Sequence, residues 1–390
     1  MVKKRKIIAV SGARSDYDLL YSVYKKLDDD PEIKFKIIIT GPHLSDNFGY
    51  TAQYIEQDKF DIAGKIFNLV DSNQKIGRIV SIGLQIPSLA NILLQEKPDI
   101  VLVAGDREES ISVSMTCAYM DIAVAHFFGG DIVKDGNIDN SVRYASSKFA
   151  HLHFPTLEEH KKTLLRLGEE EDRIFVVGNP ALDKILSIPN LTKKEVLKNL
   201  NAENKSITNY AVLIQHPDAK QDHKQGERVK ISLDALLDYD GHCFINFPNS
   251  DAGSNDIIKA YQEYTAKYPD KFTLFQNLDR INYINLLRHA EFLIGNSSSG
   301  IVEVASLGLA AINVGERQRG RIPGDNVVFV NNDKKEIRQA IHKVKNNAEF
   351  RKQVAKKYNP YSDGYSTEKI IKILKNIEIN DRLIYKNITY

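Results

Sequence analysis

The chain has 390 residues, 53 basic and 51 acidic side chains and a formal net charge of +2. At roughly 100 to 200 residues per domain, that length predicts two domains, each able to bury its own core. The near-neutral balance excludes a polyanion such as nucleic acid as the principal partner. Two cysteines, Cys117 and Cys243, are too few for a disulfide framework. In chain order, MVKKRKIIAV comes first. Its apolar run, Ile7 to Val10, is shorter than the roughly 7 to 15 residues of a secretory core, so it reads as a strand. No stretch approaches the roughly 18 to 20 apolar residues of a membrane span. The expectation is a cytoplasmic protein with no membrane partner.

The apolar runs KIIAV, FKIIIT, DIVLVAGD, IAVAHF, HLHF and IFVVG follow one another through the first half. YAVLIQHP, CFINFPN, FTLFQ, FLIGN, AAINVG and VVFV follow through the second. Helix-length amphipathic segments separate them, which predicts βαβ units and parallel sheets. IIAV, IIIT and IVLV are continuous rather than alternating, the mark of a sheet covered on both faces. The predicted fold class is α/β, with two Rossmann-like doubly wound domains facing a cleft. The domains span residues 1–180 and 181–365, with a linker in 180–205 and a terminal helix at 366–380 that packs back on the first. Such sheets bind ligands at the carboxyl ends of their strands.

FLIGNSSSGIVEVASLG, residues 292–308, begins as a buried strand and runs into Asn296, Ser297, Ser298, Ser299 and Gly300 before an apolar pattern resumes. A helix start offers unpaired N–H groups and about half a unit of positive dipole charge, which suits an anion. The serine hydroxyls add donors, Gly300 admits a phosphate to the backbone, and Glu303 can accept from a ribose hydroxyl. The same turn is also the pattern of an ordinary serine cap. ERQRGRIPGDN follows the next strand and brings Arg317, Arg319 and Arg321 to the same sheet edge, a setting for a diphosphate.

Carboxylates gather at strand ends in the first half: Asp106 beside Arg107, Asp131 after paired glycines, and Asp139 one helical turn before Arg143. Proton transfer at carbon needs carboxylates on fixed elements, and clustering raises some of their pKa values. Arg14 and the expected N-cap Asp16 lie on the turn after the first strand. His216 in QHP, placed to donate to a phosphate or to carry a proton as a catalytic group, and Asn249 and Asp251 in FPNSDAGS follow strands of the second half. His151 and His153 lack a third ligand at metal spacing and read as packing. There is no GxGxxG in the first turn and no GxxxxGK[ST], so neither a nicotinamide site nor energy-coupled NTP hydrolysis is expected.

In this order ARSDY, GPHLSDNFGYTAQYIEQDKFDI, GDR, GGD, GNIDNSVRYASSKFAH, VVGNPALDKIL, QHP, FPNSDAGS, IGNSSSG and ERQRGR cover nearly the whole chain. Together they resemble the hydrolysing UDP-N-acetylglucosamine 2-epimerases of sialic acid synthesis, whose architecture is of the glycosyltransferase-B type. The resemblance implies that Arg14, His216, Asn249, Ser297, Ser298, Glu303 and Arg321 hold the nucleotide diphosphate. It places Asp106, Asp131, Asp139, Arg143 and His43 around the sugar. It also implies a homodimer or homotetramer, and no metal or other cofactor.

The implied reaction takes UDP-N-acetylglucosamine to N-acetylmannosamine plus UDP, through elimination to a glycal and rehydration. The departures are Asp131 in place of the family's Glu, Phe128 in place of Glu or His, and Asn140 in place of a second Asp. These keep other substrates open, namely UDP-2,4-diacetamido-2,4,6-trideoxyglucose or a GDP-linked HexNAc. They also leave a non-hydrolysing epimerase, a glycosyltransferase on the same fold, or a non-catalytic nucleotide-sugar-binding regulator.

Overall fold

A computed structural model describes residues 4–46, 49–70, 76–131, 138–203, 205–218, 224–248, 253–276 and 278–389. The chain divides into two compact units, Met1–Lys184 with Tyr361–Tyr390, and Ile185–Pro360. The first unit holds β1 (Arg5–Ser11), β2 (Ile33–Thr40), β3 (Ile62–Ile66), β4 (Ile100–Ala104), β5 (Ala123–Phe127) and β6 (Leu152–Phe154). The second holds β7 (Tyr210–Ile214), β8 (His242–Asn246), β9 (Phe272–Phe275), β10 (Phe292–Gly295), β11 (Ala310–Val314) and β12 (Val327–Val330). The strand orders are β3-β2-β1-β4-β5-β6 and β12-β11-β10-β7-β8-β9, and every pairing is parallel. Each sheet is doubly wound, with its order reversing between β1 and β4 and between β7 and β10, where such sheets open a crevice.

The continuous apolar strands are explained by burial on both sides. Ile7, Ala9, Ile37, Ile39 and Leu102 face a layer containing Leu20, Tyr24, Leu27, Ile370 and Leu374. Their neighbours Ile8, Val10, Ile38, Val101 and Val103 face Leu89, Leu93, Val113 and Cys117. Burying each such aliphatic side chain stabilises the fold by roughly 1.5–3 kcal/mol. Ile370 and Leu374 belong to the helix Ser366–Asn376, so the C-terminal segment completes the first core. Beyond that helix, Arg173 Nη1 donates to Leu383 O at 2.6 Å, and Lys386 Nζ donates to Ala150 O at 2.7 Å and Glu169 Oε2 at 2.5 Å.

Two elements differ from the sequence expectation. IFVVG forms only an isolated bridge, His153 to Ile174, instead of a strand. The edge strand β3, Ile62–Ile66, has no apolar run because Gly64 and Lys65 interrupt it; a Cβ on Gly64 would lie 2.6 Å from Ile92 Cδ1, so glycine admits the covering helix. That helix, Ile76–Glu96, is long and apolar enough by length and composition to cross a membrane, which its scattered polar residues conceal in the sequence. Its inner face belongs to the sheet. Leu89 and Leu93 are core residues, and Asn68 Nδ2 donates to Ser81 O and Gln85 Oε1, both at 3.1 Å.

Candidate active-site groups in each unit

In the first unit the polar groups stand where β1, β2, β4 and β5 end. Asp16 is not the N-cap of the helix Arg14–Asp28. It sits in the first turn, and its carboxylate accepts from the amides of Gly12 at 2.9 Å and Ala13 at 3.0 Å, satisfying donors that a helix start leaves open. Arg14 is exposed, 4.9 Å over the Tyr54 ring and 3.5 Å from Asp18. His43 is fully buried. Its Nε2 lies 3.0 Å from Ser11 Oγ and its Nδ1 lies 2.8 Å from Thr51 Oγ1, so both ring nitrogens are committed inside the protein. Burial holds its pKa down to about 4, and the imidazole is neutral.

Gly105, at φ +77°, turns the chain out of β4 and presents Asp106. Arg143, buried on the helix Ile138–Phe149, pairs through Nη2 with the Asp106 carboxylate and donates from Nη1 to Asp131 O at 2.9 Å. One guanidinium thus joins the β4 and β5 turns. Burial raises the pKa of Asp106; Arg143 opposes the rise, and the charges of Asp139 and Asp131 add to it. The three acids of the sequence expectation are therefore one electrostatic cluster. Asp131 Oδ1 lies 3.4 Å from His160 Nε2, and Asp139 Oδ1 lies 3.6 Å from Arg78 Nη2. Phe128, before the paired glycines, has φ +63°, a backbone state that costs an ordinary side chain of order 1–3 kcal/mol and persists only when its surroundings hold it.

Behind this cluster, buried His126 lies 2.8 Å from Gly105 O and 3.0 Å from Ser147 Oγ, bracing the Asp106 turn from below. His151 and His153 are packing residues: His151 Nδ1 accepts from Val124 N at 3.1 Å, and His153 Nε2 lies 3.0 Å from Glu169.

In the second unit a hollow of about 310 Å³ opens at the ends of β7 and β10. His216, Arg280, Tyr283, Ser297, Ser298 and Glu303 are among its lining residues. Asn296 clamps the two strand ends together, accepting from His216 N at 2.6 Å and donating to His216 O at 2.9 Å. Arg317 Nη1 donates to Asn296 O at 3.2 Å, so this arginine braces the turn. Arg319 turns aside to Glu316 and the Phe329 ring. The Arg321 guanidinium has no hydrogen-bond or ion-pair partner among the described residues.

The serine turn corrects two expectations. Its helix is one turn, Ser299–Val302, followed by a 3-10 turn, Val304–Leu307, so too few peptide dipoles align to supply a macrodipole. Gly300 is buried and its amide donates to Ser297 O at 3.1 Å; the small residue serves packing, since an added Cβ would touch Ala311 Cβ at 3.4 Å. Ser299 is tied up as well, receiving from Tyr283 OH at 2.9 Å and donating to Glu303 Oε2 at 2.6 Å. Glu303 Oε1 pairs with Arg280 at 2.9 Å. The side chains of Ser297 and Ser298, His216 and Arg280 are what the hollow offers an anion. Arg280 and Tyr283 were missed from sequence, where the one available signal was a capped helix start at Asp279 following β9. Asn249 and Asp251 lie outside the described residues.

Two parallel doubly wound sheets with polar groups at their strand ends are the glycosyltransferase-B-like architecture. A sequence model described as UDP-N-acetylglucosamine 2-epimerase matches residues 25–375, and the chain belongs to that family. It is 33% identical to a hydrolysing UDP-N,N'-diacetylbacillosamine 2-epimerase of Legionella pneumophila, over 98% of both chains. It is 35% identical to a hydrolysing GDP/UDP-N,N'-diacetylbacillosamine 2-epimerase of Campylobacter jejuni, over 99% of both. A Neisseria meningitidis UDP-GlcNAc 2-epimerase, solved bound to UDP-GlcNAc, superimposes with a TM-score of 0.77 at 20% identity, covering 95% of this chain and all of that one, which speaks to the fold.

Proposed function

We propose that the protein is a hydrolysing 2-epimerase of UDP-linked 2,4-diacetamido-2,4,6-trideoxyglucose, the sugar also called N,N'-diacetylbacillosamine. The supporting observation is the end-to-end likeness, at 33% and 35% identity, to two enzymes named for that sugar. The likeness to a UDP-N-acetylglucosamine 2-epimerase of Neisseria meningitidis is 26%. UDP-N-acetylglucosamine, the substrate first expected, is therefore the second reading. Phe128 in place of an acid or imidazole suits a ring without a 6-hydroxyl. The cytoplasm, where nucleotide sugars are made, is the compartment that goes with this activity.

The C2 hydrogen of such a sugar is not acidic, and becomes removable only as the C1–O bond to the diphosphate breaks and positive charge builds at C1. In this assignment Asp106 or Asp131 takes the C2 proton while the electron pair forms C1=C2 and UDP departs. A proton is then returned to C2 on the opposite face and water adds its oxygen at C1, giving the free 2-epimerised sugar. Arg143 pairs with the Asp106 carboxylate and holds the Asp131 backbone carbonyl, which ties the two turns together, and Asp139 keeps the local potential negative so that a proton can be held. In the second unit Ser297, Ser298, His216 and Arg321 receive the diphosphate, and donors aimed at it stabilise its growing charge. Neither a metal nor a redox cofactor has a step in this sequence.

The test is a substrate panel in which released nucleotide is measured with UDP-N,N'-diacetylbacillosamine, its GDP counterpart and UDP-N-acetylglucosamine. A kcat/KM at least about tenfold higher for the first supports the assignment, since losing one specific contact costs on the order of 1–3 kcal/mol. Preference for UDP-N-acetylglucosamine would restore the second reading.

A further inference from the structure

Glu109 has no part in the chemistry above, yet it is among the most tightly enclosed charged groups of the first unit. It is the second residue of the helix Glu108–Tyr119 that follows β4, and its side chain is 9% exposed. Two glycines close over it. An added Cβ on Gly12, after β1, would lie 2.5 Å from Glu109 Cδ, and one on Gly41, after β2, would lie 2.5 Å from its Oε1. Three adjacent strand ends thus converge on one carboxyl group, at the reversal of strand order where a ligand crevice is expected.

The other oxygen, Oε2, accepts from Arg107 Nε at 3.3 Å. Only the inner nitrogen of that guanidinium is engaged. Its two terminal nitrogens have no hydrogen-bond partner among the described residues, and the side chain is 44% exposed. Asp16, half-buried on the turn after β1, also feels the charge of Arg107. A buried carboxylate on the inner nitrogen and an open outer fork is the arrangement that aims a guanidinium at an anion, because the fork then needs no reorganisation when the ligand arrives.

We propose that Glu109 is a positioning residue, held by the Gly12 and Gly41 turns so that it aims Arg107 at the anionic end of the nucleotide-sugar. This rests on the activity assigned above. Glu109 acts through Arg107 and touches no substrate itself.

The test is a double-mutant cycle of Glu109→Gln and Arg107→Ala, read as KM, kcat and UDP affinity by calorimetry, with melting temperatures recorded alongside. Glutamine keeps the shape of the side chain and removes its charge. Glu109→Gln alone is expected to raise KM and weaken UDP binding about tenfold, with kcat within about twofold, as for loss of binding felt equally in ground and transition states. In the Arg107→Ala background it is expected to change neither, since a residue acting through a partner has no effect once that partner is gone. Equal losses in both backgrounds, or unchanged KM and UDP affinity in the single variant, would overturn the proposal. A fall in kcat that tracks a fall in melting temperature would do the same, because that is the signature of a merely structural carboxylate. If the wild-type protein releases nucleotide from no sugar offered, the activity assignment fails, and the cycle in UDP affinity still decides the role of Glu109.

Discussion

Gly295 closes β10 immediately before the serine turn, at φ +125°, a conformation that L side chains rarely adopt. A Cβ there would lie 1.9 Å from Ile214 O and 2.5 Å from Ile214 C, and both contacts are backbone that cannot rotate away. Gly295 is also the register partner of Ile214 in the β7–β10 pairing, and the next amide, Asn296 N, donates to Ile214 O at 3.1 Å. Gly295→Ala must therefore pry apart the two strand ends that Asn296 clamps.

The backbone strain costs about 1–3 kcal/mol and the overpacking about as much again, so roughly 2–6 kcal/mol in all. For a unit of this size each kcal/mol lowers the melting temperature by about 2–4 °C, which predicts a drop of about 4–24 °C with marked loss of UDP binding. Calorimetric melting with UDP titration measures both. Gly83→Ala is the matched control. It lies in the helix Ile76–Glu96 with no atom within 4 Å of an added Cβ, and it should hold or gain up to about 1 kcal/mol. A Gly295→Ala protein that melts within about 2 °C of wild type and binds UDP unchanged would refute the link between this glycine, the strand pairing and the proposed nucleotide site.

Asp106→Asn and Asp131→Asn are each expected to lower kcat by about 10²–10⁴ while leaving UDP affinity nearly intact, as steady-state kinetics and calorimetry would show; Arg321→Ala should do the reverse, weakening UDP binding more than it slows turnover. Full activity in the Asp131 variant would remove that group from the mechanism. Glu169 predicts an acid-sensitive fold. Burial pushes its carboxyl up, but hydrogen bonds from His153 and Lys148 and the charge of Lys386 outweigh that and hold it at about 2 against an ordinary 4.5. A depressed folded pKa contributes stability that is fully present above the unfolded value and fades as pH falls through about 4.5 toward 2, on the order of 3 kcal/mol in total. In urea unfolding, the stability gap between wild type and Glu169→Gln should therefore narrow by about 2 kcal/mol between pH 7 and pH 3, and a gap independent of pH would contradict the assignment.

The strands that carry the site were legible because parallel strands buried on both faces must be continuously apolar; KIIAV, FKIIIT and IVLV declare themselves. The edge strand Ile62–Ile66 did not, since packing the covering helix close required glycine where a strand signal would have an aliphatic. Among the candidate groups, Asp106 and Asp131 could be read from their places after strands, because strand ends are where a doubly wound sheet exposes polar groups, and Asp139 and Arg143 from their one-turn spacing on the next helix. The helix dipole at the serine turn could not survive the structure. The apolar spacing of IVEVASLG suggests a longer helix than the single turn that forms. Beyond the capped helix start at Asp279, no local pattern marked Arg280, Tyr283 or Glu109, because the contacts of each are with segments remote in sequence.

The measurement that bears most directly on the assigned chemistry is incubation with UDP-N,N'-diacetylbacillosamine in D₂O, followed by NMR and mass spectrometry of sugar and nucleotide. Elimination and rehydration predict UDP and a free 2,4-diacetamido-2,4,6-trideoxymannose appearing together, with one deuterium at C2. A sugar still joined to UDP, or a released sugar that keeps its C2 proton and its original configuration, would contradict it.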